Sequence, residues 1–170
     1  MAVSHFELDR WIRRIAQGDR DALASLYGVT RPAVYAYALS ITKSGYDAED
    51  VLHDCYIQIW NSAAAYRSED RPMAWIMTIT RNLCFKLSRS QQRYLSLDSE
   101  EYCLSPAADP DDRLLIRQCM TVLTEEERQI VILHAVAGCK HREIGRMMNL
   151  KTGTVLSKYH RAIQKLREAL

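Results

Sequence analysis

The sequence predicts an all-α protein of two helical domains joined by a flexible acidic linker. Apolar residues recur at helical spacing over most of the 170 residues, and no segment alternates with the period of a strand. Between residues 88 and 112 that pattern breaks: Ser, Gln, Asp, Glu and Pro dominate, and Pro106 and Pro110 interrupt any helix. Charge is also sorted along the chain, although the net charge is only +2. Residues 1–95 hold twelve Lys/Arg against ten Asp/Glu, residues 96–127 two against nine, and residues 128–170 nine against two. An acidic middle and a basic end favour polyanion binding by the tail. The expected division is a domain over 1–92, a linker over 93–111 and a second domain over 112–170.

In chain order, Phe6, Leu8, Trp11, Ile12 and Ile15 predict an amphipathic helix ended by Gly18, and Asp19 caps a second helix through Leu23, Leu26 and Tyr27. Pro32 suits the first turn of a third, with Val34, Tyr35, Ala38, Leu39 and Ile41 as its apolar positions, closed by Lys43-Ser44-Gly45. Asp47 then opens a helix that turns Val51, Leu52, Cys55, Tyr56, Ile59, Trp60 and Ala63 inward and Asp50, His53, Asp54, Ile57, Gln58 and Asn61 outward. An apolar Ile57 among acids and amides reads as a protein-binding surface or as a solvated face with one stray isoleucine. Residues 66–71 read as a polar loop. Pro72 opens a helix to about Ser88 with the stripe Ile76, Ile79, Leu83 and Leu87. Arg81, Lys86, Arg89 and Arg93 interleave there with Trp75, Phe85 and Tyr94, a pattern that suits single-stranded or melting DNA, although Trp75 and Phe85 taken singly read better as core.

The last third reads as three helices. Thr124 and Glu127 have the spacing of a capping box, Ile130, Val131, Leu133, His134, Val136 and Ala137 follow at helical spacing, and Gly138 ends the helix. A short helix fits residues 141–148. Asn149 supplies a left-handed turn, and Thr152 or Thr154 caps a third helix beginning near Gly153. In that helix Val155, Tyr159, Ala162, Ile163, Leu166 and Leu170 form a packing stripe, while Thr154, Ser157, Lys158, Arg161 and Lys165 form a stripe of donors. Helix, tight turn, basic helix is the layout of a DNA-reading helix-turn-helix.

Several classes fall away. Arg10, Arg13 and Arg14 interrupt Trp11, Ile12 and Ile15, so no signal peptide is expected, and no run approaches the roughly 20 apolar residues of a membrane span. A cytoplasmic protein without direct membrane insertion is expected. Five cysteines without a C-x-x-C pair suggest neither a disulfide framework nor a zinc site, and no metal or cofactor is expected. No carboxylate cluster or nucleophile with an oriented base supports a DNA- or RNA-processing enzyme, and no small-molecule substrate is expected.

Two segments together identify a family resemblance. Gly45 to Trp60 (GYDAEDVLHDCYIQIW) followed by Arg71 to Leu83 (RPMAWIMTITRNL) resembles the second conserved region of bacterial sigma factors. Leu123 to Leu166 resembles the fourth, through Leu123-Thr124-Glu125-Glu126-Glu127-Arg128, Arg142-Glu143-Ile144-Gly145 and Gly153-Thr154-Val155-Leu156-Ser157-Lys158. Order, spacing and short linker are similar to the two-domain extracytoplasmic-function (ECF) group. The resemblance implies a factor that binds core RNA polymerase and promoter DNA and carries no catalytic residue. It implies polymerase docking through Asp50, Asp54, Ile57 and Gln58, and minus-ten DNA binding through Tyr66, Arg67, Ser68, Trp75, Arg81, Asn82 and Lys86. It implies minus-thirty-five binding through Thr152, Thr154, Ser157, Lys158 and Arg161. Leu156 stands where many relatives carry Lys or Arg, which puts one phosphate contact in doubt or sets Leu156 against a thymine methyl. The chain ends at the basic helix, so control by a separate anti-sigma factor rather than an appended sensor domain is the expectation. A two-domain repressor would share the terminal motif but leaves the 47–61 helix and the 66–71 loop unexplained.

Overall fold

The computed structural model describes residues 4–68, 71–91 and 121–169, and every regular element among them is helical. The expected linker, 93–111, lies outside these residues, as do Cys103 and Cys119.

Helix α1 spans His5–Ile15 and starts with a capping box in which Ser4 and Glu7 satisfy each other's backbone N–H. It buries Leu8, Ile12 and Ile15. Gly18 turns the chain at φ 85°, and Asp19 caps α2 by accepting from the N–H of Asp21 and Ala22, both at 3.0 Å.

Helix α2 spans Arg20–Thr42 without a break, so the two helices expected on either side of Pro32 are one. Proline removes a backbone donor and normally kinks or stops a helix. Here Thr30 and every residue from Ala33 to Ser40 are buried, so α2 is wrapped by neighbours and its burial outweighs one missing hydrogen bond. It packs against α1, α3 and α4.

Lys43, at φ 59°, ends α2, and Ser44 caps α3 (Gly45–Ser62) through the Asp47 N–H at 3.3 Å. The helix thus starts two residues before Asp47, the expected first residue. Ala48, Val51, Leu52, Cys55, Tyr56 and Ile59 are buried, as the periodicity required. A short 3₁₀ turn, Ala63–Ala65, leads to the loop and to α4, Pro72–Gln91. The deepest stripe of α4 is Met73, Ile76, Met77, Thr80 and Cys84, while Ile79, Leu83 and Leu87 are half-buried on its flank. Within the core, Thr30 Oγ1 donates to the Leu26 carbonyl at 2.7 Å and lies 2.7 Å from the Tyr56 hydroxyl.

The C-terminal half is built from shorter pieces. Thr124 and Glu127 form the expected capping box on α5 (Glu125–Val131), which passes into a π-helical turn at Ile132–Val136. The wider turn shows in the Ala137 N–H donating to the Ile132 carbonyl at 3.0 Å. Gly138, at φ 71°, then reverses the chain as expected. Helix α6 covers His141–Met148, and Asn149 at φ 55° makes the tight turn. Gly145 is required there, because a Cβ would stand 2.7 Å from the Leu150 carbonyl oxygen. Helix α7 spans Thr152–Glu168 with Lys151 at its cap position and no side-chain cap bond. The expected threonine cap does not form, because the helix begins one residue earlier and takes Thr152 into its first turn.

Ile130, Ile132, Leu133, Cys139, Ile144 and Val155 belong to the same buried cluster as the core of α1–α4, and a small satellite of Leu123, Val131, Ala162 and Leu166 lies beneath α7. The halves meet where α5 and the π turn rest on α2 and where α6 rests on α4.

Candidate protein-docking and nucleic-acid surfaces

Asp50, Asp54, Ile57 and Gln58 share the exposed side of α3, with the Ile57 side chain 56% exposed. Beside them is a groove of about 290 Å³ lined by Leu23, Tyr27, His53, Tyr56, Ile57 and Trp60, apolar almost throughout. An isoleucine flanked by carboxylates and continuing into an aromatic groove has the make-up of a protein interface, with an apolar centre and a polar rim. The sequence reading found Ile57 but missed the groove, because α2 supplies Leu23 and Tyr27 and no single-helix pattern pairs them with α3.

The second group divides. Tyr66 is half-buried, its hydroxyl donates to Asp9 Oδ1 at 3.0 Å and its ring lies 4.8 Å from that of Trp75. Asp9 also accepts from Arg13 Nε at 2.9 Å, so α1 braces the loop. Arg67 and Ser68 are exposed; Glu69 and Asp70, in the same loop, are outside the described residues. Tyr66, Arg67, Arg71, Ala74, Trp75 and Thr78 line one side of a groove of about 390 Å³, and Glu143, Arg146 and Met147 of α6 line the other. Asn82 and Lys86 are exposed on α4. At about 100° per residue they fall on the Trp75 side of the helix, whereas Arg81 points roughly 120° away. Accordingly, Arg81 is not brought together with them. It is half-buried, stacks 4.6 Å over the Phe85 ring, and donates through Nη1 to Gln129 Oε1 at 2.7 Å and to the Tyr37 hydroxyl at 3.3 Å. Burial pushes the Tyr37 hydroxyl up to about 12, even against the Arg81 charge that lowers it. Asp9, Tyr37 and Gln129 were missed; they lie far from their partners in sequence.

On α7, Ser157 and Arg161 face outward, Thr152 is exposed at the helix start, and Thr154 and Lys158 are half-buried on the flank towards α5. Lys158 Nζ is 2.7 Å from Glu126 Oε2. Lys165, on the same flank, reaches both carboxylate oxygens of buried Glu127 at 2.9 and 2.8 Å. Burial raises the Glu127 pKa, but the Lys165 ammonium and the Thr124 N–H and hydroxyl outweigh it and hold the carboxyl below its ordinary value. The outward face of α7 is thus centred on Ser157, Arg161 and Gln164, with Leu156 39% exposed and His160 beside it. The acids of α5 explain the rotation: they draw the lysines on that flank aside.

Chemistry elsewhere is quiet. Burial pushes the thiols of Cys55, Cys84 and Cys139 up, to about 11, 12 and 12, so the described cysteines are poor nucleophiles. Among the described residues no helix is long and apolar enough to cross a membrane, and no group of His, Cys, Asp and Glu is arranged to hold a metal.

Comparisons with known proteins bear on these surfaces. The family profile described as Sigma-70 region 2 matches residues 26–94, and that described as Sigma-70, region 4 matches residues 113–166. Among curated relatives, the RNA polymerase sigma factor CarQ of Myxococcus xanthus is 29% identical over 94% of this chain and 95% of its own length. The ECF RNA polymerase sigma factor SigK of Mycolicibacterium vanbaalenii is 26% identical over 96% and 89%. Of solved structures, the sigma factor RpoE in complex with the anti-sigma factor NepR, from Bartonella quintana, gives a TM-score of 0.67 at 21% identity, covering 85% of this chain and 94% of that one. CnrH in complex with the cytosolic domain of CnrY gives 0.65 at 21%, covering 96% of each. The latter two establish likeness of fold. With both conserved regions present in order and together spanning well over half its length, the chain belongs to the sigma-70 family, as an ECF sigma factor.

Proposed function

We propose that this ECF sigma factor uses three separate surfaces: the α3 face for core RNA polymerase, the Tyr66–Lys86 strip for the minus-ten element and the α7 face for the minus-thirty-five element. As a sigma factor it binds core polymerase and directs promoter-specific initiation; it is a specificity factor, and polymerase does the chemistry. Asp50, Asp54, Ile57 and Gln58, with the Tyr27–Trp60 groove beside them, make the polymerase contact. Tyr66, Arg67, Ser68 and Trp75 take an unstacked base, and Asn82 and Lys86 hold the strand that leads to it. Arg81, bound to Gln129 and Tyr37 on another side of α4, lies apart from this strip. Thr152, Thr154, Ser157, Lys158 and Arg161 read or grip the duplex, with Lys158 exchanging Glu126 for a phosphate.

The supporting observation is the match to both sigma-70 regions in chain order, on two halves that each present an exposed face of suitable chemistry. The division of labour follows the same lines: residues 1–92 for polymerase and minus-ten DNA, 93–111 as linker and 112–170 for minus-thirty-five DNA. The site of action is the cytoplasm, where polymerase and chromosome meet. Control by an anti-sigma factor is supported by the two structural likenesses, RpoE with its anti-sigma factor NepR and CnrH with the cytosolic domain of CnrY.

Run-off transcription by core polymerase on genomic promoter fragments, with and without the protein, tests the reading. New transcripts from defined start sites are expected only with the protein. Failure both to bind core polymerase and to initiate anywhere would leave a stand-alone DNA-binding regulator as the better account.

A further inference from the structure

We propose that Asp9 of α1 is a positioning residue for minus-ten recognition: its carboxylate holds Tyr66 in place, and with it the Trp75 ring and the start of the loop that takes the unstacked base. The proposal rests on the role given to Tyr66, Arg67, Ser68 and Trp75 under Proposed function.

Tyr66 is fixed at three points. Its N–H donates to the Ala63 carbonyl at 3.1 Å, closing the 3₁₀ turn. Its ring lies 4.8 Å from the Trp75 ring at an interplanar angle of 55°. Its hydroxyl donates to Asp9 Oδ1 at 3.0 Å, across 57 positions of sequence. Without this third point only packing would stop the ring from turning, and the half-buried Trp75 ring beside it would lose its stop as well. The acceptor is itself held in one orientation, because the Asp9 side chain is 14% exposed and its second oxygen accepts from Arg13 Nε at 2.9 Å. Arg13 is 64% exposed, and a pair so open to water adds little energy. What fixes Tyr66 is therefore the acceptor oxygen rather than the charge.

Placement adds to the contact. Helix α1 packs on the 3₁₀ turn that precedes the loop and on α4, which follows it. One helix thus braces both ends of the loop, while Arg67 and Ser68 between them stay exposed. Ordering of the loop then takes place in folding, which lowers the cost of receiving a base. Asp9 touches no DNA in this scheme and acts through Tyr66. Helix α1 lies ahead of residues 26–94, the span matched to Sigma-70 region 2, so the brace comes from outside the matched segment.

Holoenzyme reconstituted from core polymerase and the full-length chain tests this on a promoter whose minus-ten element has been mapped with the wild-type protein. The readout is discrimination, the ratio of initiation rates on the intact element and on single-base substitutions within it. Asp9→Ala removes the acceptor, Tyr66→Phe removes the hydroxyl but keeps the ring, and Asp9→Asn keeps an acceptor oxygen without the charge. Asp9→Ala and Tyr66→Phe are each expected to lower the ratio about three- to tenfold at the base held by the loop, and the double variant no further. Asp9→Asn is expected to stay within about twofold of wild type. Discrimination at the minus-thirty-five element is expected to be unchanged in all of them. Wild-type discrimination in Asp9→Ala would overturn the proposal. So would a Tyr66→Phe loss as large in the Asp9→Ala background as alone, which would place the hydroxyl on DNA, or an equal loss at both promoter elements, the mark of a destabilised chain. The functional reading has its own control: wild-type protein that initiates without dependence on minus-ten sequence, or not at all, refutes that reading before any variant is made.

Discussion

The two halves of the molecule hold their shape by different means. In α1–α4, three helices of 23, 18 and 20 residues close over one apolar core, and specificity is spread across many side chains. In α5–α7 the helices are 7, 8 and 17 residues long, and the shape depends on a few backbone positions: Gly138 and Asn149 at positive φ, and Gly145 against the Leu150 carbonyl. Buried charge is also concentrated there, with Glu127, Arg128 and Glu143 all under a tenth exposed. Both halves share apolar area, and the second adds tight-turn geometry and the pairing of buried Glu127 with Lys165. The α7 face proposed above to enter a DNA groove suits the second kind of construction, because tight turns at Gly138 and Asn149 set its orientation.

The sharpest contrast is between three side-chain carbons too few and one methyl group too many. Ile59→Ala leaves a cavity in the wholly buried centre of α3 and is expected to cost about 3–4 kcal/mol, with the helix-turn-helix geometry intact at temperatures where the chain stays folded. Gly145→Ala adds a Cβ against backbone and is expected to cost about 2–3 kcal/mol. That loss should fall on the C-terminal half, so hydrogen exchange should speed up in α6 and α7 before α2 and α3. Equal acceleration in both halves would mean that the shared core makes them one cooperative unit.

Acid provides a milder probe of the same contrast. Burial first, and then the neighbouring His134 and His160, hold the His141 pKa below its ordinary 6.5. Its ring is stacked 4.1 Å from His134 and 5.2 Å from Tyr159, and its Nε2 is buried without a hydrogen-bond partner. The unfolded chain then binds the extra proton more readily, so stability is full above about pH 6.5 and falls as pH drops through the folded value. Glu127, held below its ordinary 4.5, adds a second loss at lower pH as it protonates and releases Lys165. Denaturant titrations across pH should show both losses, and His141→Phe should abolish the first while sparing the second.

Much of this was legible in the sequence. Capping chemistry is local, so Asp19, the Thr124–Glu127 box, the Gly138 stop and the Asn149 turn were readable directly, and α6 was placed to the residue. Long-range balance was not. Whether Pro32 stops a helix depends on how fully its neighbours are buried, which only the assembled core decides. The facing of α7 depends on Glu126 and Glu127, some thirty residues away, which draw Lys158 and Lys165 off the outward face. Arg81 was read with its neighbours in sequence, yet its partners are Tyr37 and Gln129, 44 and 48 positions distant. The sequence therefore revealed which residues carry charge and which faces are apolar, but not which cations are already paired.

The central claim, that each half reads its own promoter element, is tested most directly by crossing protein variants with promoter variants in run-off transcription. Arg161→Ala should reduce initiation on an intact promoter by roughly 1–3 kcal/mol in effective affinity and have little further effect once the minus-thirty-five element is scrambled. Trp75→Ala should show the converse dependence on the minus-ten element alone. An Arg161→Ala defect of the same size on intact and scrambled minus-thirty-five promoters would contradict the account.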